Sequence, residues 1–398
     1  RGVQKRLRRE RDVRCGVRPR DSSDERVVDD DAVRRLDGAS TTFPEGAYSS
    51  DYFADRLIEF LKAGAEDPRP FFAYLPFTAP HSPLQAPPAL IDKYRGRYDA
   101  GPEAMRDARL ARMRTLALPI AHARPAPIRG GKPWSAMTPE ERAPESRRME
   151  VYAAMVEALD AAVGRVVATI EAQKKLAETV IIFLSDNGPA GMPREITPPW
   201  DEMIKTRFDN RLDNIGRPTS YTSMGPRWAE SQAAPFSLFK RFTTEGGVRT
   251  CSFAAGPGIR PGVASDAFVH VMDYAATMLE IASVEPRSLE GKAPMRGRSA
   301  LAMLAGRVER VHPADDVLCW EYLYGFGARQ GDWKAVLIPP VARMLWPELP
   351  INQWHLYNVG EDPGETTDLA SAHPEKLRKL IAHWEQYARE VGVVLPEG

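Results

Sequence analysis

Residues 181–188 constrain the fold of this chain more than any other segment. A short apolar run is followed directly by Ser185, Asp186 and Asn187, and the segment ends in a glycine. In an open α/β sheet, ligands bind at the carboxyl ends of strands, so the pattern predicts a buried strand that delivers two oxygen-bearing side chains to a site. Such oxygens suit Ca²⁺ or Mg²⁺. An Asn-Gly pair after a strand is also a common turn, and this segment alone does not decide between the two interpretations.

Two further segments carry residues that could take part in chemistry. His81 lies between two prolines after an apolar run, which stiffens its backbone, and an imidazole can donate or accept a proton near pH 7. Lys240 ends another apolar segment and precedes a glycine pair at 246–247. Each feature has a plain structural alternative. A histidine can be a satisfied structural residue, a lysine can reach from an apolar segment to water, and a glycine pair can mark a tight turn.

The pattern of apolar residues predicts helices that alternate with buried strands. Helices are expected to start at residues 49–51 and after Thr138, and another is expected over 271–282. The buried strands are expected over 70–77, 179–185 and 251–256. The apolar faces of the first two helices are assigned to Tyr52, Phe53, Leu57, Ile58 and Leu61, and to Met155, Leu159, Val163, Val166 and Ile170. This order is typical of an α/β fold with a mixed, mostly parallel sheet flanked by helices.

The chain changes character after residue 305. Short strand patterns at 317–320, 327–330 and 333–337 predict a small antiparallel sheet, and a helix over 374–391 presents an apolar side to it. We therefore expect three parts, which are a poorly ordered segment over 1–45, the main α/β domain over 46–305, and a C-terminal subdomain of antiparallel sheet plus helix over 306–398.

Two long stretches interrupt this pattern. Residues 119–137 are rich in proline, arginine and glycine and are expected to form a surface excursion. Residues 188–236 are expected to be mostly irregular, which suits a lid or a wall that contacts substrate, because loops of this length are usually functional or disordered.

Composition excludes several classes of protein. Lys+Arg and Asp+Glu both number 54, so no net charge favours nucleic acid, and the basic segment 1–20 is expected to be a disordered terminus. The cysteines Cys15, Cys251 and Cys319 are odd in number and far apart, so buried small side chains are expected and not a disulfide framework. That usage is compatible with the cytoplasm. No window approaches the roughly 18 apolar residues of a membrane span, so a soluble chain is expected. Because the first residue is Arg1, the compartment and the oligomeric state stay open.

Five segments together resemble the sulfatase family of the alkaline-phosphatase-like superfamily. They occur in the family's order and cover about residues 45–398: Pro80-His81-x-Pro83-Leu84-Gln85-Ala86-Pro87, Ser185-Asp186-Asn187-Gly188, Lys240-x-Phe242-Thr243-Thr244-Glu245-Gly246-Gly247-Val248-Arg249, Arg329-Gln330-Gly331-Asp332-Trp333-Lys334 and Leu356-Tyr357-Asn358-Val359-x-x-Asp362-Pro363-x-Glu365. Residues 94–99 and 149–155 look especially like arylsulfatases of bacterial and fungal type. The resemblance implies an alkaline-phosphatase-like fold and hydrolysis of aryl sulfate esters to a phenol and sulfate.

The resemblance also implies roles for individual residues. Asp186 and Asn187 would be two of the Ca²⁺ ligands, and Asp186 would also take a proton from the nucleophile. His81 and Lys240 would hold the sulfate oxygens and assist departure of the alcohol or phenol. A divalent cation, a lysine and an imidazole would then meet the charge that builds during S–O cleavage. The expected partner is a small-molecule sulfate ester, and no nucleic acid is expected.

One part of the family pattern does not match. Sulfatases of this kind use a formylglycine nucleophile made from a Cys/Ser-x-Pro-x-Arg signature, but after Cys15 the required proline is Val17 and the required arginine is Pro19. The family's strand with paired aspartates and its Gly-Lys-Trp-His segment are also missing from the 398 residues. We therefore expect a fragment of an arylsulfatase that is inactive alone. The alternatives are a non-catalytic remnant or pseudoenzyme, and a phosphodiester or phosphonate monoester hydrolase of the same superfamily.

Overall fold

A computed structural model of the chain describes residues 34–36, 39–286 and 293–395. The basic segment 1–20, Cys15 and most of the predicted N-terminal segment 1–45 lie outside these ranges. The helices are α1 (Ser49–Ala63), α2 (Pro88–Lys93), α3 (Gly101–Thr115), α4 (Pro139–Ala172), α5 (Trp200–Arg207), α6 (Pro226–Ala233), α7 (Glu245–Val248), α8 (Val271–Ile281), α9 (Leu301–Leu304) and α10 (Pro374–Val391). The strands are β1 (Arg34–Leu36), β2 (Ala39–Thr41), β3 (Ile181–Leu184), β4 (Ser252–Ala255), β5 (Val317–Tyr322), β6 (Gly325–Gln330), β7 (Trp333–Leu337) and β8 (Trp354–Asn358).

Most predicted elements are confirmed with small shifts of their ends. Helix α1 begins at Ser49, α4 begins directly after Thr138, and α8 and α10 occupy the predicted ranges. Strands β3 and β4 are shorter than predicted, and they are not buried as expected, because β3 is only partly buried and Phe253 in β4 is 59% exposed. Strands β5, β6 and β7 form where short strands were expected.

The strand predicted over residues 70–77 is wrong. No strand is assigned there, and Phe72 and Tyr74 are 68% and 71% exposed, although a buried strand was expected. Only Leu75 and Phe77 pack on a core. Prolines near both ends of the run cannot donate to a sheet ladder, and no strand of the described ranges pairs with it. Apolar content therefore does not produce a strand here.

The chain divides into two compact units. The first unit contains the described residues up to Arg95 together with Glu150–Ala177 and Phe208–Tyr221. Its core forms where α1 packs on the C-terminal part of α4, and both helices contribute residues at helical spacing. The buried members are Ala54, Leu57, Leu61, Ala162, Val166 and Ile170. The apolar faces predicted for the two helices thus meet each other in this unit.

The second unit contains Gly96–Met149, Glu178–Arg207 and the described residues from Thr222 onward. In it β3 pairs with β4 in antiparallel register, from Ile181 opposite Ala255 to Leu184 opposite Ser252. The rings of Phe183 and Phe253 stack across this pair with centroids 4.8 Å apart. Named strands in the described ranges pair only in antiparallel fashion, so the mostly parallel part of the predicted sheet does not appear among them.

The C-terminal part of the second unit is a four-stranded antiparallel sheet with the order β5-β6-β7-β8. Helix α10 packs on one face of this sheet through Leu380, Trp384 and Ala388. The indole of Trp384 stacks on the ring of Phe326 at 4.0 Å and donates its N–H to the carbonyl of Trp320 (3.2 Å). The predicted combination of antiparallel sheet and helix is confirmed.

Two further expectations need correction. Residues 188–236 are mostly outside helices and strands, as expected, but α5 and α6 lie within them and Tyr221 and Trp228 are buried, so the stretch is more ordered than predicted. Cys251 is exposed and Cys319 is only partly buried, although buried cysteines were expected. Among the helices that the structure describes, none is both long enough and apolar enough to cross a bilayer.

Candidate functional site

The end of β3 is held by hydrogen bonds to the segment that leads into β4. The backbone N–H of Ser185 donates to the carbonyl of Cys251 (3.3 Å), and the hydroxyl of Thr250 donates to the carbonyl of Ser185 (2.8 Å). The hydroxyl of Ser185 donates to the carbonyl of Asn187 (3.1 Å). These bonds fix the turn after the strand, and Asp186 within that turn is exposed.

Three glycines allow backbones to touch next to this turn. The N–H of Gly188 donates to the carbonyl of Gly247 (3.0 Å), and a Cβ on Gly188 would lie 1.9 Å from the carbonyl oxygen of Gly246. A Cβ on Gly246 would lie 2.2 Å from the carbonyl oxygen of Leu238, and one on Gly247 would lie 2.0 Å from that of Phe242. Only glycine fits these three positions, because any Cβ atom would clash with a neighbouring backbone carbonyl. The glycine pair therefore does more than turn the chain.

Lys240 lies beside the turn after β3. Its backbone N–H donates to the carbonyl of Pro189 (3.0 Å). Burial lowers the pKa of the Lys240 ammonium, the Asp186 carboxylate raises it, and the guanidinium groups of Arg194 and Arg241 lower it, with a net decrease. Lys240 therefore interacts electrostatically with one carboxylate and two guanidinium groups, so that positive charge is in excess around it.

The backbone around Lys240 is strained on both sides. Leu238 has a φ of 59° and Arg241 a φ of 90°. Non-glycine residues in this region of φ cost on the order of 1–3 kcal/mol each and persist only where the surrounding structure enforces them. The segment that presents Lys240 is therefore held in place by its neighbours.

Asp186 and Asn187 offer oxygen ligands of the kind that a hard cation prefers. The amide nitrogen of Asn187 donates to the carbonyl of Gly188 (2.9 Å), which leaves the amide oxygen as an acceptor. These two side chains supply fewer oxygens than the 6–8 that Ca²⁺ takes, and no group of three or more His, Cys, Asp or Glu side chains in the described ranges could hold a metal. The chemistry of these ligands fits calcium, but their number covers only part of a site.

His81 belongs to the first unit, whereas Asp186, Asn187 and Lys240 belong to the second. Its side chain is exposed, and Nδ1 lies 2.7 Å from the carbonyl oxygen of Ser82. Because a carbonyl can only accept, Nδ1 carries the proton in this contact. Of the four predicted site residues, the structure thus brings three together in one unit, and the role of His81 stays a prediction.

A buried ion cluster lies directly next to the glycine pair. Glu245 starts α7, and its carboxylate lies 2.8 Å from the ammonium of Lys334, 3.3 Å from Arg249 and 3.8 Å from Arg329. The carboxylate of Glu365 accepts the backbone N–H of Glu245 (2.8 Å). Its other oxygen lies 3.1 Å from Lys334, at ion-pair distance but without hydrogen-bond alignment. This cluster anchors α7 to β7 and to the segment after β8.

The pKa values of the two carboxyl groups in the cluster, Glu245 and Glu365, are shifted in opposite directions. Burial raises the pKa of Glu245, but the positive charges of Lys334, Arg329 and Arg249 outweigh it, so that the net pKa is lowered. Burial raises the pKa of Glu365, and the opposing effect of Lys334 is smaller, so that the net pKa is raised. Glu245 is thus the stably ionised member, and Glu365 depends on Lys334.

Sequence reasoning missed the neighbours of the predicted site residues. Arg194 and Arg241 are ordinary charged residues in their local sequence, and the distances that matter arise only on folding. Glu245, Lys334 and Glu365 do lie in the segments that carried the family resemblance. Their presence in three separate segments was a signal, but nothing in the spacing indicated that they meet.

Comparisons with known proteins identify the family of the chain. The family model named Sulfatase matches residues 16–284. The chain belongs to the sulfatase family. This sulfatase chain is 41% identical over 355 residues to an uncharacterized sulfatase of Schizosaccharomyces pombe. The aligned region covers 87% of this chain and 62% of the relative. It is 35% identical over 289 residues to an arylsulfatase of Klebsiella aerogenes, which covers 70% of this chain and 59% of the relative.

Solved structures show the same fold class. The crystal structure of Ps i-CgsB matches this sulfatase with a TM-score of 0.56 at 18% identity, over 87% of this chain and 56% of the other. The predicted alkaline-phosphatase-like α/β fold is thereby confirmed. The chain spans 62% and 59% of the lengths of the two curated relatives.

Proposed function

We propose that this chain supplies the sulfate-binding part of an arylsulfatase, a hydrolase that converts aryl sulfate esters to a phenol and sulfate. The observation that carries the proposal is the hydrogen bond from the backbone N–H of Lys240 to the carbonyl of Pro189, which holds Lys240 against the turn that carries Asp186. Arg194 and Arg241 contribute further positive charge around Lys240. The 35% identity to an arylsulfatase supports the choice of an aryl ester.

The side chains of the site have complementary tasks in this proposal. The ammonium of Lys240 binds the sulfate oxygens and offsets the negative charge that develops as the S–O bond breaks. Asp186 accepts a proton from the nucleophile, and His81 binds a sulfate oxygen and assists departure of the phenol. The surplus of positive charge around Lys240 favours entry of an anionic substrate over a neutral one.

Asp186 and Asn187 would hold Ca²⁺ together with ligands beyond this pair. When bound, the cation would add positive charge next to the sulfate oxygens. The 398 residues contain no Cys/Ser-x-Pro-x-Arg signature, so the formylglycine nucleophile is not supplied by this chain. We therefore expect no multiple turnover of 4-nitrophenyl sulfate by the 398-residue chain alone in the presence of Ca²⁺. Turnover under these conditions would show that another group in the chain acts as nucleophile.

The role of Lys240 can be tested in an extended chain that carries the nucleophile signature. Removal of one group that stabilises developing charge lowers kcat by about 10²–10³-fold, and we expect a loss of this order for Lys240→Ala. Lys205→Ala is the matched control, because Lys205 is 77% exposed on α5. If both variants keep the parent rate, the assignment of Lys240 is wrong.

The same extended chain distinguishes substrate classes. We expect 4-nitrophenyl sulfate to be hydrolysed with a higher kcat/KM than 4-nitrophenyl phosphate, its phosphodiesters or a phosphonate monoester. A preference for a phosphorus ester would replace the proposal with the corresponding hydrolase of the same superfamily. Binding of sulfate without hydrolysis of any of these esters would indicate a non-catalytic protein.

A further inference from the structure

A cleft in the second unit is lined by three arginines and lies outside the residues discussed so far. Its volume is about 350 Å³, and its walls are formed by Arg106, Arg124, Pro125, Pro127, Arg129 and Thr366. Small-molecule sites occupy roughly 300–1,000 Å³, so the cleft is large enough for a small ligand. Most of the lining comes from the proline-rich and arginine-rich stretch 119–137, for which the proposed function gives no role.

The charges of the cleft are unbalanced. None of the six lining residues is acidic. Arg106 pairs with Asp107 at 2.8 Å. Within the described ranges, the guanidinium groups of Arg124 and Arg129 have neither an ion pair nor a hydrogen bond, since the bond at Arg129 involves its backbone. The carboxylate of Glu230 is within electrostatic range of Arg129 but accepts backbone N–H groups. The guanidinium groups of Arg124 and Arg129 can therefore donate hydrogen bonds to a ligand.

The segment that carries these arginines is fixed by its backbone. The N–H of Ala126 donates to the carbonyl of Pro235 (2.9 Å). The N–H groups of Arg129 and Gly130 both donate to one carboxylate oxygen of Glu230 (3.0 and 2.6 Å). The backbone that carries Arg124 and Arg129 is therefore ordered before a ligand binds. Binding is favoured because it costs no further ordering of this backbone.

The opposite wall is equally fixed. A Cβ on Gly364 would lie 2.4 Å from the carbonyl oxygen of Arg124, so this wall touches the arginine segment directly. Asp362 accepts the backbone N–H of Thr366 (2.7 Å) and also its hydroxyl (3.1 Å). The carboxylate of Asp362 is therefore hydrogen-bonded to Thr366 and not to a guanidinium group of the cleft.

We propose that this arginine cleft binds a tetrahedral oxyanion, either sulfate or phosphate. The planar fork of a guanidinium group matches two oxygens of such an anion with parallel hydrogen bonds. The anion is either a free inorganic ion or the end group of a larger ester, and both sources offer at least three terminal oxygens to Arg124 and Arg129.

Calorimetric titration of the 398-residue chain with sodium sulfate tests the cleft, with sodium chloride at the same ionic strength as the control. All variants are compared in a Lys240→Ala background, so that binding near β3 does not contribute. Hydrogen bonds to charged groups contribute about 1.5–3 kcal/mol, so we expect Arg124→Gln and Arg129→Gln each to weaken sulfate binding by about tenfold or more. Arg112→Gln, at an exposed position of α3 outside the lining, should leave binding unchanged.

A second measurement does not depend on any variant. Crystals of the chain soaked in sodium selenate should show an anomalous peak between the guanidinium groups of Arg124 and Arg129. Titration with phenyl sulfate identifies the source, because tighter binding than inorganic sulfate assigns the cleft to an ester and weaker binding assigns it to the free ion. Sulfate binding that is undetectable, that persists in both arginine variants, or that lacks a selenate peak in the cleft would overturn the proposal.

Discussion

Replacement of Lys334 by methionine tests the buried ion cluster next to the candidate site. The Lys334 ammonium lies 2.8 Å from Glu245 and 3.1 Å from Glu365, and all three side chains are at most 2% exposed. Methionine retains much of the apolar stem and removes the charge. The variant therefore leaves two buried carboxylates that shared one ammonium.

The structure indicates how the loss of unfolding free energy in Lys334→Met is divided between Glu245 and Glu365. Glu245 keeps the guanidinium groups of Arg249 and Arg329 at 3.3 and 3.8 Å, whereas Glu365 has no second cation at ion-pair distance within the described ranges. Removal of one partner from a buried pair costs about 3–5 kcal/mol, and most of this falls on Glu365. Because an uncharged Glu365 avoids the penalty, we expect the loss of unfolding free energy to be larger at pH 8 than at pH 5.

Urea and thermal unfolding followed by circular dichroism measure the effect. At roughly 2 °C per kcal/mol, a loss of 3–5 kcal/mol lowers the Tm by about 6–10 °C. Lys379→Met is the matched control at an exposed position of α10, and surface substitutions of this kind usually stay within about 0.5 kcal/mol. The double variant Lys334→Met/Glu365→Gln should recover part of the loss.

Two results would refute this reasoning. A Tm of Lys334→Met equal to that of Lys379→Met would mean that the cluster does not stabilise the fold. An equal loss at pH 5 and pH 8 would mean that Glu365 is not the residue that bears the penalty.

Two further predictions concern Glu230 and Gly188. Burial raises the pKa of Glu230 from 4.5 to about 7, so the folded state binds the proton of this carboxyl group more tightly than the unfolded state does. The free energy of unfolding therefore falls as the pH rises through the window between these two pKa values. Glu230→Gln should remove that decline in urea titrations across the window, and an unchanged slope would contradict the assignment. Gly188→Ala should lower the Tm because its Cβ meets a carbonyl oxygen at 1.9 Å, whereas Gly164→Ala, which meets nothing within 4 Å, should not.

The sequence predicted the end of β3 because its information is local. An apolar run ending in Asp186 and Asn187 needs only its own neighbours to form a strand and a turn. Helices α1 and α10 were predictable for the same reason, since the period of their apolar residues decides which side is buried. The boundaries proposed at residues 45 and 305 stay predictions.

The buried ion cluster could not be predicted in this way. Charged residues are almost never fully buried unless they are paired, and nothing in the local sequence indicated that Lys334 and Glu365 are buried. Their partner Glu245 is 89 and 120 residues away in sequence, and no local pattern records that contact. The error at residues 70–77 has a related origin, because an apolar run predicts a strand only if another strand is available to pair with it.

The ion cluster also has a consequence for the order in which the protein acquires its structure during translation. Glu245 is synthesised 89 residues before Lys334, and at about 5–20 residues per second this separation corresponds to a delay of roughly 4–18 s. During this interval its carboxylate has no ammonium partner and must stay hydrated. Helix α7 also holds the turn after β3 through the hydrogen bond from Gly188 to Gly247. The ion pair that anchors this helix is therefore completed only when β7 has been made.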